Sequence, residues 1–224
     1  MKKAIVLIAL FCSTVALAQS KTVKLSPFSG IKVYSGIHVK LIPSQENKIV
    51  ISGENIETVV TTLKKDILKI RHSLDQWLSP ANTYIEVYFT ETLDKIHSYQ
   101  GTKIESEALL ETTSIEVKAS EGSQQFLNIT TERLDASINS GATLNLTGKA
   151  STHELSILGG GICEAEDFIT NQTIAKVTAG GVAYIHASEL LDATVNIGGT
   201  VRIHGQPTKL IKRKRIGGTI MEMN

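Results

Sequence analysis

Glu166, His186 and His204 lie six residues after Gly160, Gly180 and Gly198. Imidazole and carboxylate groups repeated at one offset are the side chains that hold a divalent metal. An outward polar ladder at the ends of strands needs the same pattern and no ion, and no group that would orient the imidazoles follows from sequence. The expectation is therefore no metal and no cofactor, with this column as the candidate if there is one. A second set is cationic: Lys209, then Lys212, Arg213, Lys214 and Arg215. Such a run meets an anionic polymer, or it charges an exposed edge and discourages pairing there. A third set is aromatic. Trp77 with Tyr84, Tyr88 and Tyr99 could form a platform for a sugar, and Tyr84 and Tyr88 share a face if their strand is regular. Clustered acids occur at Glu164, Glu166 and Asp167. A glycosidase needs two carboxylates converging in a cleft, and spacing alone does not supply them. No Ser/His/Asp or Cys/His set is suggested either. The candidate binding residues are thus Trp77, Tyr84, Tyr88, Lys212, Arg213, Lys214 and Arg215, with no catalytic residue assigned.

The elements that must position these groups are repeats. Glycines at 141, 160, 180, 198 and 217 are 19, 20, 18 and 19 residues apart, and weaker copies precede them at Gly101 and Gly122. Apolar residues keep fixed offsets from them: Ile138, Ile157, Val177 and Val195 three before, Leu144, Cys163, Ala183, Val201 and Ile220 three after. Leu146, Ala165, Ile185 and Ile203 follow at five after. Alternation of period two means strands with one buried face. Glycine takes the positive φ of a sharp corner and leaves room for the coil stacked above. Coils of about 19 residues, which bury their inward face only by stacking, make a β-solenoid. The regular spacing favours it over a β-sandwich of hairpins.

Residues 22–100 read as strands without a tight repeat, punctuated at Gly36, Pro43-Ser44 and Gly53-Glu54-Asn55. The segment Ile56 to Lys65 reads as strand rather than helix, from its Thr and Val content. Ser73 to Thr83, with the single Trp, reads as the longest loop. No linker divides the chain, so residues 19–224 are expected to form one domain in which 22–100 cap or start the solenoid and 101–224 are its coils.

The start of the chain is an address. Lys2 and Lys3 precede an apolar run from Ala4 to Leu17, and Ala16-Leu17-Ala18 suits signal peptidase. That run is shorter than the roughly 20 residues a membrane span needs. Phe11 before Cys12 argues against lipidation. Residues 1–18 are read as a signal peptide, which places the protein in the periplasm, on the outer-membrane surface or outside the cell. The full chain of 224 residues carries a formal charge of +1, and removing the two lysines leaves it near neutral. Neither a nucleic-acid protein nor an acidic disordered chain has that balance. Cys163 is the one cysteine left, at an inward position, so no internal disulfide forms and the thiol reads as core rather than nucleophile.

Phe28-Ser29-Gly30-Ile31-Lys32-Val33-Tyr34-Ser35-Gly36-Ile37-His38-Val39, Lys64-Lys65-Asp66-Ile67-Leu68-Lys69-Ile70, and Tyr84-Ile85-Glu86-Val87-Tyr88-Phe89 with Leu93-Asp94-Lys95-Ile96 together resemble the head GIN domain family. This family of adhesin-like proteins is common among exported proteins of Bacteroidetes-like bacteria. The resemblance covers nearly the whole mature chain. It implies a right-handed β-helix and no established catalytic residues. The family's coils carry Ser-Gly-Ser-Gly-Asp-Val; here Thr143, Ile162, Val182, Thr200 and Thr219 stand where that Asp would be. The expected function is a non-catalytic cell-envelope protein, adhesin-like, binding a glycan or surface polymer. The alternatives are a β-helix carbohydrate-active enzyme and a structural envelope protein that self-assembles through its coil ends.

Overall fold

The computed structural model describes residues 20–73 and 82–223. Residues 1–18, read above as a signal peptide, and Trp77 lie outside the described residues. Within them the chain is an all-β solenoid of about seven turns, its coils about 19 residues apart. Ile56–Thr58 is a single 3-10 turn, and the rest of the segment expected to be strand is strand.

The N-terminal strands are β1 (Ser20–Lys24), β2 (Gly30–Val33), β3 (His38–Pro43), β4 (Lys48–Gly53), β5 (Val59–Lys64), β6 (Ile67–His72), β7 (Thr83–Phe89) and β8 (Lys95–Ser98). Five long strands follow: β9 (Lys103–Ala119), β10 (Gln124–Asn139), β11 (Thr143–Leu158), β12 (Ile162–Thr178) and β13 (Val182–Asn196). The chain closes with β14 (Thr200–His204), β15 (Lys209–Lys214) and β16 (Thr219–Glu222). Each long strand is one coil bent into two limbs. The first limb of β9 pairs in parallel with β3 and the second with β8. At the other end the two limbs of β13 pair with β14 and β15.

Pairing follows the glycine spacing residue for residue. Leu144 lies beside Cys163, Cys163 beside Ala183, Ala183 beside Val201 and Val201 beside Ile220. All of this column is buried except the last member, which is partly covered, and the columns three before and five after the glycine are buried too. Inward residues of both limbs join one apolar core. Since a coil has no second layer to cover it, stacking is what removes these side chains from water.

At the corner Gly180-Gly181 the two glycines do different work. Ala179 and Gly180 both take positive φ, 58° and 86°, which turns the chain from one coil's second limb into the next coil's first. Gly181 has ordinary φ, but a Cβ there would stand 2.4 Å from Ile157 Cγ2 of the coil below. The weak copies at 101 and 122 also have a cause. Gln125 occupies an inward ladder position and is fully buried. Its Nε2 donates to Ser98 Oγ at 2.7 Å and to Lys118 O at 2.8 Å, and Ser98 Oγ donates to Ser123 Oγ at 2.8 Å. A polar layer replaces apolar rungs there, so the hydrophobic repeat fades while the coil persists.

The N-terminal segment extends both limbs before the long coils begin. On the first limb the order is β1, β4, β7, β3, β9; on the second it is β5, β6, β2, β8, β9. The outermost strands on this side run antiparallel to their neighbours: β1 to β4, β4 to β7 and β5 to β6. They close the solenoid's first end.

Candidate functional site

Outward residues fall into columns that run along the solenoid, with side chains on neighbouring strands about 4.8 Å apart. On the first limb Tyr84 and Tyr88 face outward from β7, as the alternation expected, with Glu86 between them. Tyr84 is about half exposed, and its ring centroid lies 5.3 Å from that of His38 on β3. Tyr88 donates to Glu86 Oε2 at 2.9 Å, and Lys48 Nζ sits 5.0 Å from its ring centroid. His38 Nε2 is 2.7 Å from Glu105 Oε2, and Glu105 also pairs with Lys103. Charges on this face are largely matched.

Tyr99 is not part of that platform. It lies on the second limb at the end of β8, stacked on Tyr34 at the end of β2, with centroids 4.7 Å apart and planes 10° apart. Lys69 Nζ is 4.7 Å from the Tyr34 centroid and Lys118 Nζ is 5.8 Å from the Tyr99 centroid. The stack is thus flanked by a cation for each ring. Burial, and then Glu121 for Tyr34, holds both phenols above their ordinary pKa, so they remain hydroxyl donors.

The column beside the tyrosines is basic. Lys69 on β6 pairs in register with Lys32 on β2, Lys32 with His97 on β8, and His97 with Lys118 on β9. Arg71 adds a fourth permanent cation on β6, its Nη1 donating to His72 O at 3.0 Å. Among the described residues, Lys32, Lys69, Arg71 and Lys118 have no carboxylate within ion-pair distance. Glu116, the nearest acid in sequence register, is held by Lys95 at 3.3 Å and sits 3.0 Å from His97 Nε2, out of line for a hydrogen bond. Burial holds His97 down at about 4, outweighing the pull of Glu116, so the imidazole is neutral at pH 7. Like charges directly opposite each other across strands cost about 0.2–1 kcal/mol. Lys32 and Lys69 are such a pair.

A family model described as "Putative auto-transporter adhesin, head GIN domain" matches residues 27–207. The chain belongs to the head GIN domain family. No curated protein matches the sequence. Three solved structures share the fold. A "putative adhesin" from Bacteroides fragilis is 20% identical with a TM-score of 0.83, and one from Parabacteroides merdae is 18% identical with a TM-score of 0.73. A "putative lipid binding protein" from Parabacteroides distasonis is 14% identical with a TM-score of 0.70. Each alignment covers 92% of this chain and 96% of the other.

The basic run of this head GIN domain sits on the last coil and is partly spent. Arg213 is bonded to Asp192 and Lys212 to Glu222. Lys212 and Lys214 stand at inward positions, in register with Ala193 and Val195 of the coil before. The Glu166, His186 and His204 column also differs from its sequence offsets. His186 pairs with His204, but its neighbour on β12 is Ile169, because Glu166, Asp167 and Phe168 bulge out of the register. Phe168 turns into the core, edge-on to His153 at 5.7 Å. His186 Nδ1 donates to the main-chain oxygen of Glu166 at 3.0 Å rather than to its carboxylate. No three His, Cys, Asp or Glu side chains among the described residues are placed to hold a metal ion. Glu164 accepts from Asn145 Nδ2 at 3.0 Å. Cys163 is fully buried, and burial followed by Glu166 and Glu164 pushes its thiol far above the ordinary value.

An open groove of about 980 Å³ lies at the bend between the limbs, edged by Leu109, Glu111, Glu132, Lys149 and Ile169. Its charges are mixed and its walls are threonine and aliphatic, so it lacks the unmatched charge of the Tyr34–Tyr99 corner. Sequence reasoning missed that corner. The available signal was the shared offset: Tyr34 and Tyr99 each stand two residues before a corner glycine, Gly36 and Gly101.

Proposed function

We propose that this protein is an exported, non-catalytic, adhesin-like module that binds a glycan or another polymer of the cell envelope along its outward sheet faces. The signal peptide read from residues 1–18 supplies export. No helix among the described residues is long and apolar enough to cross a membrane. Family membership and the adhesin descriptions of the similar structures support the adhesin-like role.

One observation carries the reading. Outward residues just after each corner lie in register from coil to coil, as in the row Thr143, Ile162, Val182, Thr200 and Thr219. A polymer with a short repeat lying along the axis therefore meets a matching repeat of side chains, on a surface already ordered before binding. The enzyme alternative needs carboxylates converging in a cleft; Glu164 accepts from Asn145, and Glu166 lies in the β12 bulge with its Oε2 buried. The test is a glycan and envelope-polymer binding screen with the mature protein. Saturable retention of at least one polymer is expected. A folded protein that retains none of them would overturn the reading.

A further inference from the structure

We propose that the stripe formed by Lys69, Lys32 and Lys118, with Arg71 and the hydroxyl of Tyr34, is the binding site for an acidic polysaccharide, one bearing carboxylate, sulfate or phosphate groups. The inference rests on the adhesin-like reading for the class of partner and adds its charge and its place on the solenoid.

The argument starts from what is unmatched. Lys32 and Lys69 are register partners on β2 and β6, and Lys118 lies one strand beyond His97 in the same column. A protein free to choose would place an acid at one of these positions, because opposite charges across strands stabilise and like charges do not. Here the neighbouring acid, Glu116, is committed to Lys95. In the other dense basic segment Lys212 pairs with Glu222 and Arg213 with Asp192, while Lys209, Lys214 and Arg215 have no carboxylate within ion-pair distance among the described residues. The unpaired lysines that stand in register on neighbouring strands are those at the N-terminal end of the second limb.

Geometry then selects the anion. Lys69, Lys32 and Lys118 lie on three of four successive strands, each about 4.8 Å from the next, so the positive charge runs along the axis as a stripe rather than gathering in a cup. A chain with charges at intervals fits a stripe; a single small anion would engage one lysine and leave the rest. The tyrosine rings do not offer open faces for stacking, because they stack on each other and Lys69 and Lys118 flank them. The Tyr99 hydroxyl is taken, 3.3 Å from His97 Nδ1, which leaves the Tyr34 hydroxyl to donate to the hydroxyls and acidic oxygens of a saccharide. A lipid surface is the weaker fit. Cationic membrane sites set exposed apolar side chains beside the charges, and among the described residues the exposed large apolar side chains lie outside β2, β6 and β8.

The experiment compares the mature protein, Lys32→Gln/Lys69→Gln, and a control, Lys212→Gln/Arg213→Gln, against polygalacturonate, dextran sulfate and neutral dextran. The wild type is expected to bind at least one of the two acidic polymers, tenfold more weakly in 300 mM than in 50 mM salt. The Lys32/Lys69 variant is expected to lose at least tenfold, with the control within twofold of wild type. The bound acidic polymer should raise the Tm of the wild type at low salt and leave that of the Lys32/Lys69 variant unchanged. Equal binding by that variant, or an equal loss in the control, overturns the proposal. If neutral dextran binds as tightly as the acidic polymers and neither variant matters, the adhesin-like reading stands and this site falls. If no polymer binds, both fall.

Discussion

His153 holds a place in the core that an aliphatic residue could fill. It stands in the inward column between Leu134 and Thr173, is 1% exposed, and its Nε2 has no hydrogen-bond partner. Burial alone pushes its pKa down to about 4. In the unfolded chain the same imidazole titrates near its ordinary value of 6.5. Between those values the unfolded state binds the proton and the folded state does not, so stability is full above pH 6.5 and falls as pH drops toward 4. The shift is worth about 2 kcal/mol between pH 7.5 and pH 5. His97 acts in the same direction. Urea unfolding at those two pH values should show the loss, and His153→Leu should recover about half of what the two histidines contribute. An unchanged pH difference in His153→Leu would mean the acid sensitivity lies in other groups. Cys163 is inert for the same reason: burial denies it the thiolate.

At the scale of one coil, the corner glycines separate two effects that a sequence shows only as Gly-Gly. Gly160 has φ +79° and nothing within 4 Å of an added Cβ, whereas Gly181 has ordinary φ and no room. Asn tolerates the left-handed region, so Gly160→Asn should stay within about 1 kcal/mol of wild type. Gly181→Ala should cost about 1–3 kcal/mol through overpacking against Ile157. Urea midpoints would check both; a harmless Gly181→Ala would mean the coils can part at that corner. The inward ladder was legible because alternation and glycine spacing encode it directly: Leu144, Cys163, Ala183 and Val201 sit where counting placed them. Counting failed at Glu166. A bulge that folds Phe168 inward adds residues without disturbing the apolar positions on either side, so offsets from glycine no longer equal positions in space. The Tyr34–Tyr99 stack was hidden differently. It joins strands far apart in sequence across the segment that makes β4 to β7, where no repeat connects Gly36 to Gly101.

For the molecule as a whole, the two ends of the solenoid need different protection, since a coil stack ends in unpaired strand edges and an uncovered core. The N-terminal end is closed by antiparallel strands. The C-terminal end is closed by charge. Its last coil continues the core columns with Leu210 and Ile220, both partly buried, and then departs from them. Lys212 and Lys214 follow Ala193 and Val195, and Glu222 follows Ile203. Lys212 and Glu222 reach across from the two limbs and pair over the core's open end. An apolar set at these three positions would present a ladder ready to accept another coil, with the edges of β15 and β16 beside it. Charges there make docking a second copy expensive, because they must be desolvated. The wild type is therefore expected to sediment as a monomer. Lys212→Val/Lys214→Val/Glu222→Val should associate through this end in a concentration-dependent way, while Arg213→Gln, which leaves the inward positions untouched, should not. A triple variant that stays monomeric at high concentration would show that backbone geometry, and not inward charge, keeps the end from pairing. This reads the basic run as an edge device, and it leaves the opposite end of the solenoid to meet a ligand.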